Sequence, residues 1–136
     1  MRIVLDSNVM LVCIPKKSPY RAVYDSFLNE KYSLSISNEV LTEYIEVLTR
    51  FSTGTVANNI AELLLSKSNV IKADTYYRWN LITTDTDDNK FVDLAVATNS
   101  DYIVTNDSHF NGLKDIAFPK VNVIDLDQFM EIIKNL

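Results

Sequence analysis

The amino-terminal run Arg2–Leu5 and the acid that follows it, Asp6, constrain the fold more than any other stretch of this chain. Three consecutive apolar residues bounded by polar ones indicate a strand that is buried on both faces, as in a parallel sheet. In open α/β sheets, ligands bind just past the carboxyl ends of such strands, where Asp6 is expected to lie. The alternative is that Asp6 only opens a turn, and the rest of the chain has to decide between these interpretations.

The segment Asp101–Thr105 repeats this pattern, because it is again apolar and again leads into polar residues, including Asp107. Apolar or alternating segments predict three more strands, at 32–36, 69–71 and 121–124. Strands that alternate with helices form parallel βαβ units with right-handed crossovers. We therefore predict one α/β domain over residues 1–136, a three-layer α/β/α sandwich with a central, mainly parallel sheet.

Capping residues predict where the earlier helices begin. Ser18, followed by Pro19, predicts one helix start, and Ser37 predicts another for a helix that runs to about Phe51. The pattern breaks at Gly54, and a further helix is expected to end near residue 67. Along the Ser37 helix, three glutamates share one face by their spacing, which alone would indicate a solvated acidic edge: Glu39, Glu43 and Glu46, with Arg50 placed to pair with Glu46.

The later part of the chain is richer in acids. The stretch Tyr76–Ile82 is interpreted as a helix fragment or a loop, with Trp79 expected to pack. Asp85, Asp87 and Asp88 then precede an apolar helix. Asp85 or Asp87 would cap that helix, and the positive end of the helix dipole stabilises the charges of all three acids. Capping explains the presence of only one of them. The closing helix is expected to be capped by Asp125 or Asp127.

Composition excludes several classes of protein. With 47% hydrophobic and 23% charged residues, the chain is predicted to be globular, and its short apolar runs predict no membrane span and a cytoplasmic location by default. One cysteine, Cys13, which we expect in the core, and one histidine are too few for a structural zinc site or a Cys/His nucleophile pair. The net charge of -5 argues against a non-specific nucleic-acid coat but not against a nuclease that binds metal through carboxylates.

Several acids are expected to meet at one edge of the sheet. Asp6 and Asp107 both follow parallel strands, and Asp88 lies in the first turn of a helix that starts at the same edge. Glu43 could join them only if its helix packs close to the first strand. Carboxylates brought together repel one another unless a divalent metal neutralises them. Their oxygen ligands suit Mg²⁺ or Mn²⁺, and this chemistry fits metal-assisted phosphodiester hydrolysis.

The ordered set of motifs resembles the PIN-domain family, and more closely its branch of toxin components from bacterial toxin–antitoxin pairs. Each motif is weak alone, but together they span nearly the whole chain in the family's order. The motifs that carry the resemblance are Leu5-Asp6-Ser7-Asn8-Val9, Glu43, Asp85-Thr86-Asp87-Asp88-Asn89-Lys90-Phe91 and Asp101-Tyr102-Ile103-Val104-Thr105-Asn106-Asp107.

The resemblance implies a Mg²⁺- or Mn²⁺-dependent ribonuclease that partners with an antitoxin protein and forms a homo-oligomer, a dimer. Its catalytic and metal-binding acids would be Asp6, Glu43, Asp88 and Asp107, with Asp85 and Asp87 as alternatives for the third. Ser7, which stands where the family usually has threonine, Asn8 and Asn106 would support them. Residues beside the site that could meet substrate are Lys16, Lys17, Arg21, Lys90 and His109.

Two rival functions remain open at this stage. The first is another phosphate-transfer fold, since a haloacid-dehalogenase-like phosphatase and a receiver domain also place an acid after the first strand. The phosphatase usually needs a second acid two residues later, where this chain has Asn8, and the receiver needs a paired acid that Arg2–Leu5 lacks. The second rival is a catalytically degenerate PIN-like module that binds RNA or protein.

Overall fold

The computed structural model describes residues 1–136 and is built around a five-stranded sheet in the order β3-β2-β1-β4-β5. Every neighbouring pair of strands is parallel. The predicted three-layer α/β/α fold with a parallel sheet is therefore confirmed. The strands are β1 (Arg2–Leu5), β2 (Ser33–Ile36), β3 (Val70–Lys72), β4 (Tyr102–Val104) and β5 (Val123–Ile124).

Helices connect the strands, as the parallel topology requires. The α-helices are α1 (Ser7–Cys13), α2 (Arg21–Leu28), α3 (Asn38–Phe51), α4 (Gly54–Ser66), α5 (Asn89–Ala97) and α6 (Leu126–Ile133). A 3₁₀ turn, Thr86–Asp88, leads into α5, and a longer 3₁₀ helix, Ser108–Asp115, follows β4. The short helix α1 was not predicted, because its apolar run gave no clear helical period. The residues 76–82 form neither helix nor strand.

Capping explains where several of these helices begin. Ser37 caps α3 by accepting a hydrogen bond from the Val40 amide, as predicted. Asp125 caps α6 within a capping box. Its carboxylate accepts a hydrogen bond from the Gln128 amide, and its own amide donates to the Gln128 side chain. The predicted start at Ser18 is two residues early, because the Ser18 hydroxyl instead accepts from the Tyr20 amide in a turn before α2.

The ion pair predicted between Glu46 and Arg50 is absent from the structure. The Arg50 guanidinium lies over the Phe51 ring, 5.9 Å from its centroid, instead of reaching back toward Glu46. The other two glutamates of the α3 acidic face are paired with residues from elsewhere in the fold, Glu39 with Arg78 and Glu43 with Lys90. The face is therefore only partly the solvated edge that the spacing alone would indicate.

The core is one cluster of 30 buried hydrophobic residues that includes the central strands. Cys13 belongs to it, as predicted, and its burial raises the pKa of the thiol to about 12. Trp79 does not: it is half-buried and packs only against surface rings. No helix is both long and apolar enough to cross a membrane.

The register of β1 and β4 positions the edge where the acids meet. Leu5 pairs with Val104, so the next residues along the two strands, Asp6 and Thr105, lie side by side. The Asp6 amide continues the ladder by donating to the Val104 carbonyl at 3.1 Å. Asp6 is therefore fixed at the carboxyl edge of the sheet, beside the residue that follows β4.

Candidate active site

Asp6 is a buried carboxylate, with only 6% of the residue exposed. One oxygen accepts a hydrogen bond of 2.7 Å from the Thr105 hydroxyl, and the other accepts a long bond of 3.5 Å from the Asn8 amide as the cap of α1. Burial raises the pKa of Asp6, repulsion from Asp107 and Glu43 adds to that rise, and the two hydrogen bonds oppose it. Asp6 thus carries an unfavourable negative charge in the folded chain.

Thr105 links Asp6 to Asp107. While its hydroxyl donates to Asp6, the same oxygen accepts a 3.0 Å hydrogen bond from the Asp107 amide. Asp107 then caps the 3₁₀ helix that follows β4, because its carboxylate accepts from the His109 amide at 2.9 Å. One threonine therefore fixes the positions of two predicted site acids.

Glu43 reaches the site because α3 is held against the end of β1. The hydroxyl of its neighbour Tyr44, which is fully buried, donates to the Leu5 carbonyl at 2.5 Å. Glu43 itself accepts a hydrogen bond from the Ser7 hydroxyl and forms an ion pair of 2.9 Å with Lys90. The condition set by the sequence, that α3 pack close to the first strand, is met.

Asp88 stands at the start of α5 without capping it. Burial raises the pKa of Asp88 to about 6, and repulsion from Asp85, Asp107 and Asp6 contributes, while a hydrogen bond with His109 opposes the rise. Asp87 points away and pairs with Lys90 at 3.1 Å. Of the three candidates for the third acid, Asp88 and Asp85 therefore face the site and Asp87 does not.

His109 lies closer to the acids than its sequence context suggested. Its Nδ1 atom is 3.1 Å from the Asp107 carboxylate, 3.3 Å from Asp88 and 3.7 Å from Asp85. One ligand atom each from Asp85, Asp88 and His109 lie within 4.8 Å of one another, close enough to share a metal ion. The signal in the sequence for these contacts was that His109 follows Asp107, the acid at the end of a strand, by two residues.

The other predicted residues contribute unequally. Asn8 contacts Asp6 through its backbone amide, whereas the Asn106 side chain accepts from the Leu126 amide at 3.0 Å and so ties β4 to α6. Arg21 pairs with Asp25 at 2.9 Å. Lys16 and Lys17 are exposed and make no ion pair. Among the predicted lysine and arginine contacts, Lys90 alone is joined to a site acid.

The acids have little compensating positive charge. Lys90 neutralises Glu43 in part, but Asp6, Asp88 and Asp107 have no lysine or arginine partner. Asp6 is buried and the pKa values of Asp6 and Asp88 are both raised, so their negative charges are unfavourable unless a cation joins them. Carboxylate oxygens of this kind are the ligands that Mg²⁺ and Mn²⁺ prefer, so the donor set fits such a metal.

Comparison with known proteins gives a family match and a set of similar folds. The family model described as "PIN domain" matches residues 2–109. No curated protein sequence matches the chain significantly. VapBC2 from Rickettsia felis, solved bound to a DNA fragment from their promoter, aligns with a TM-score of 0.62 and 20% identity, over 92% of this chain and 98% of that one.

Two further solved structures have similar folds. DNA-bound VapBC from Salmonella typhimurium has a TM-score of 0.58 and 16% identity, over 93% of this chain and 98% of that one. The PIN domain endonuclease Utp24 has a TM-score of 0.53 and 16% identity, over 91% and 84% of the two chains. At such low identities these likenesses establish the fold.

Proposed function

This chain belongs to the PIN-domain family, and from that premise we propose that it is a divalent-metal-dependent endoribonuclease, the toxin of a type II toxin–antitoxin pair. The observation that carries the proposal is the meeting of Asp6, Glu43, Asp88 and Asp107 at the carboxyl edge of the parallel sheet. These acids come from distant parts of the sequence, and burial raises the pKa values of Asp6 and Asp88, with mutual repulsion adding to the rise. Such an arrangement destabilises the protein when no metal is bound, and it is useful to a protein that binds metal.

The proposed metal ligands are Asp6, Glu43, Asp88 and Asp107, with Asp85 and His109 beside them. Bound Mg²⁺ or Mn²⁺ would supply an activated water for attack on a phosphodiester and stabilise the leaving oxygen. The Thr105 hydroxyl holds Asp6 in one orientation and Ser7 does the same for Glu43. Fixed acids of this kind lower the reorganisation needed when substrate binds.

Four basic side chains have three distinct proposed roles. Lys90 is only 15% exposed and is held between Glu43 and Asp87, so it sets the position and charge of Glu43 and is poorly placed to reach substrate. His109 presents Nδ1 to the carboxylates, which leaves Nε2 to meet a phosphate oxygen or a ribose hydroxyl. Lys16 and Lys17, exposed after α1, are proposed to attract the RNA backbone.

The rival functions are less well supported. In the phosphatase alternative, a second acid two residues after Asp6 would act on the leaving group, but Asn8 is there and only its backbone contacts Asp6. The degenerate-module alternative predicts that site acids are lost or paired with basic residues. Here Asp6, Asp88 and Asp107 are all present and have neither lysine nor arginine beside them.

The proposed partners follow from the same family membership. VapBC proteins are among the structural neighbours, which supports an antitoxin protein as the partner of this chain. We further propose a homodimer, and a cytoplasmic site of action where RNA substrates are found. Light scattering of the purified chain measures its oligomeric state directly. A monomer at micromolar concentration would contradict the proposed homodimer.

The decisive experiment for the activity is cleavage of single-stranded RNA by the purified chain in Mg²⁺ or Mn²⁺. Wild type should cut, EDTA should stop it, and Asp6→Asn should lower kcat by at least roughly 100-fold, the lower range for losing a group that acts on the reacting atoms. Asp115→Asn is the matched control, because Asp115 is an exposed acid outside the cluster and should retain full activity.

Two results would contradict the proposal. One is cleavage by Asp6→Asn at the wild-type rate, which would point to a contaminating nuclease. The other is no cleavage by wild type of several RNAs in either metal.

A further inference from the structure

A cluster of three aromatic rings lies on the surface beside the start of α5. The rings of Tyr77 and Trp79 have centroids 4.6 Å apart at an angle of 59°, and Trp79 meets Phe118 at 5.8 Å and 80°. Tyr77 is 66% exposed and Phe118 is 82% exposed. The rings are tilted and do not stack flat on one another, and Trp79 is half-buried between the two exposed rings. We name Tyr77, Trp79 and Phe118 the aromatic platform.

The segment that carries the platform residues Tyr77 and Trp79 is bonded to α5, the helix that begins beside Asp88. The Trp79 amide donates to Asp93 at 3.0 Å, and the Ile82 amide and carbonyl both bond the Asn89 side chain at 2.9 Å. The segment therefore runs antiparallel along α5, and Trp79 lies near Asp93, five residues beyond Asp88. At 1.5 Å per residue, Asp93 lies about 7.5 Å from Asp88 along the helix axis.

Buried polar groups hold this exposed segment in place. Asp93 is only 3% exposed, and its burial raises the pKa of its carboxyl while the Trp79 amide opposes that rise. Asn80, directly after Trp79, adopts a left-handed conformation with φ of 53°. A segment without regular secondary structure is thus fastened to α5, which fixes the rings relative to Asp88.

Two exposed basic residues lie close to platform residues in the sequence. Arg78 lies between two of the rings in sequence and is 62% exposed, although it also contacts Glu39 at 3.1 Å. Lys120 is exposed two residues after Phe118. Aromatic faces that alternate with cations are typical of surfaces that bind single strands, where the rings take bases and the cations take phosphates.

We propose that the aromatic platform stacks the nucleobases of an unpaired RNA strand whose backbone enters the acidic site. This inference rests on the proposed ribonuclease function and adds to it a surface that binds the bases of the substrate. Bases in a duplex have both faces covered, so flat rings can reach them only in single strands, loops or ends. Stacking on a ring tolerates any base, so the platform selects unpaired RNA rather than a sequence.

Trp79 is the single tryptophan of the chain, so its fluorescence reports on the platform alone. We would titrate the wild-type protein in EDTA, which prevents cleavage, with a short uridine oligoribonucleotide. An abasic oligonucleotide of the same length and an RNA duplex serve as ligands that offer phosphates without accessible bases. The expected result is strong quenching by the single strand and little by the other two.

Two exposed positions test the rings without disturbing the core. Tyr77→Leu and Phe118→Leu should each raise the Kd for the single strand about tenfold, within the roughly 5- to 150-fold range for losing one stacked base. In the cleavage assay the same variants should raise KM and leave kcat unchanged, because the platform is remote from the reacting phosphate. Phe51→Leu is the matched control, since Phe51 is 63% exposed on α3 and lies outside the platform.

Equal quenching by the abasic strand, or wild-type Kd and KM in both leucine variants, would overturn the proposal. It would also fail if these variants bound RNA normally but lost binding to a protein partner or to a second copy. If the wild type cuts RNA but shows no base-dependent quenching, the platform proposal is contradicted and the nuclease proposal stands. If the chain shows base-dependent quenching but cuts no RNA, the nuclease proposal is contradicted and the platform stands as a binding site for unpaired strands.

Discussion

Asp6 and Asp125 hold equivalent positions in the fold but differ in their burial and in the length of their capping hydrogen bonds. Each follows a parallel strand directly and caps the next helix, Asp6 on α1 and Asp125 on α6. Asp125 is exposed and accepts a short 2.7 Å bond from the Gln128 amide, whereas Asp6 is buried and its capping bond is 3.5 Å long. The same residue type at the same topological place is therefore stabilising in one case and destabilising in the other.

The neighbours explain the difference. Asp125 is part of the capping box at the start of α6, where its charge interacts favourably with the positive end of the helix. Asp6 lies beside Asp107 and Glu43, and both raise its pKa further. A carboxylate that is weakly used as a cap and crowded by other acids indicates a function, while one that is well used as a cap needs no further explanation.

The largest effect that would sharpen this comparison is expected at Thr105, which bonds Asp6 and Asp107 together. Thr105→Val keeps the shape but removes the hydroxyl, and we expect Mn²⁺ affinity to fall by roughly 10- to 100-fold, as for other groups that orient metal ligands. Thr105→Ser should restore most of it. Calorimetric titration measures both, and equal affinity in the valine variant would contradict the orienting role.

A smaller effect is expected when the two caps are removed in turn. Asp125→Ala should lower the free energy of unfolding by about 1 kcal/mol, the usual cost of losing a cap. Asp6→Asn, measured in EDTA, should be at least as stable as wild type, because it removes a buried charge and asparagine still caps a helix. Denaturant unfolding compares them, and a large loss of stability in Asp6→Asn would break the contrast.

The third effect concerns pH. Because the folded-state pKa of Asp88 is raised from 3.8 to about 6, the folded chain binds the proton more tightly than the unfolded one. The contribution of Asp88 to stability is therefore greatest below about pH 4 and is lost as the pH rises through about 6. In EDTA, Asp88→Asn should flatten this part of the stability profile relative to wild type. An identical slope in both proteins would show that the shift is absent.

The sequence predicted the fold well because the relevant signals are local. Buried strands such as Arg2–Leu5 and caps such as Ser37 and Asp125 can be recognised from a few consecutive residues. The start of α2 was misplaced because Ser18 and Pro19 also suit a turn, and that turn is what forms. Helix α1 was missed because its seven residues are too short to show a period.

The site was less predictable, because its geometry depends on how distant elements pack. Glu43 reaches the acids only through the packing of Tyr44 on Leu5, which no local pattern in α3 reveals. The position of Thr105 beside Asp6 follows from the β1 and β4 register, and it could have been found by aligning the two strand ends. The contacts of His109 depend on a 3₁₀ helix that the sequence did not predict.

Direct measurement of Mn²⁺ binding tests the central claim, that buried Asp6 and the acids around it form a metal site. Calorimetric titration of wild type, Asp6→Asn and Asp125→Asn compares the two strand-end acids under one substitution. We predict saturable binding by wild type and by Asp125→Asn, and none detectable by Asp6→Asn at the same concentrations. Wild-type binding by Asp6→Asn, or equal loss in both variants, would contradict the claim.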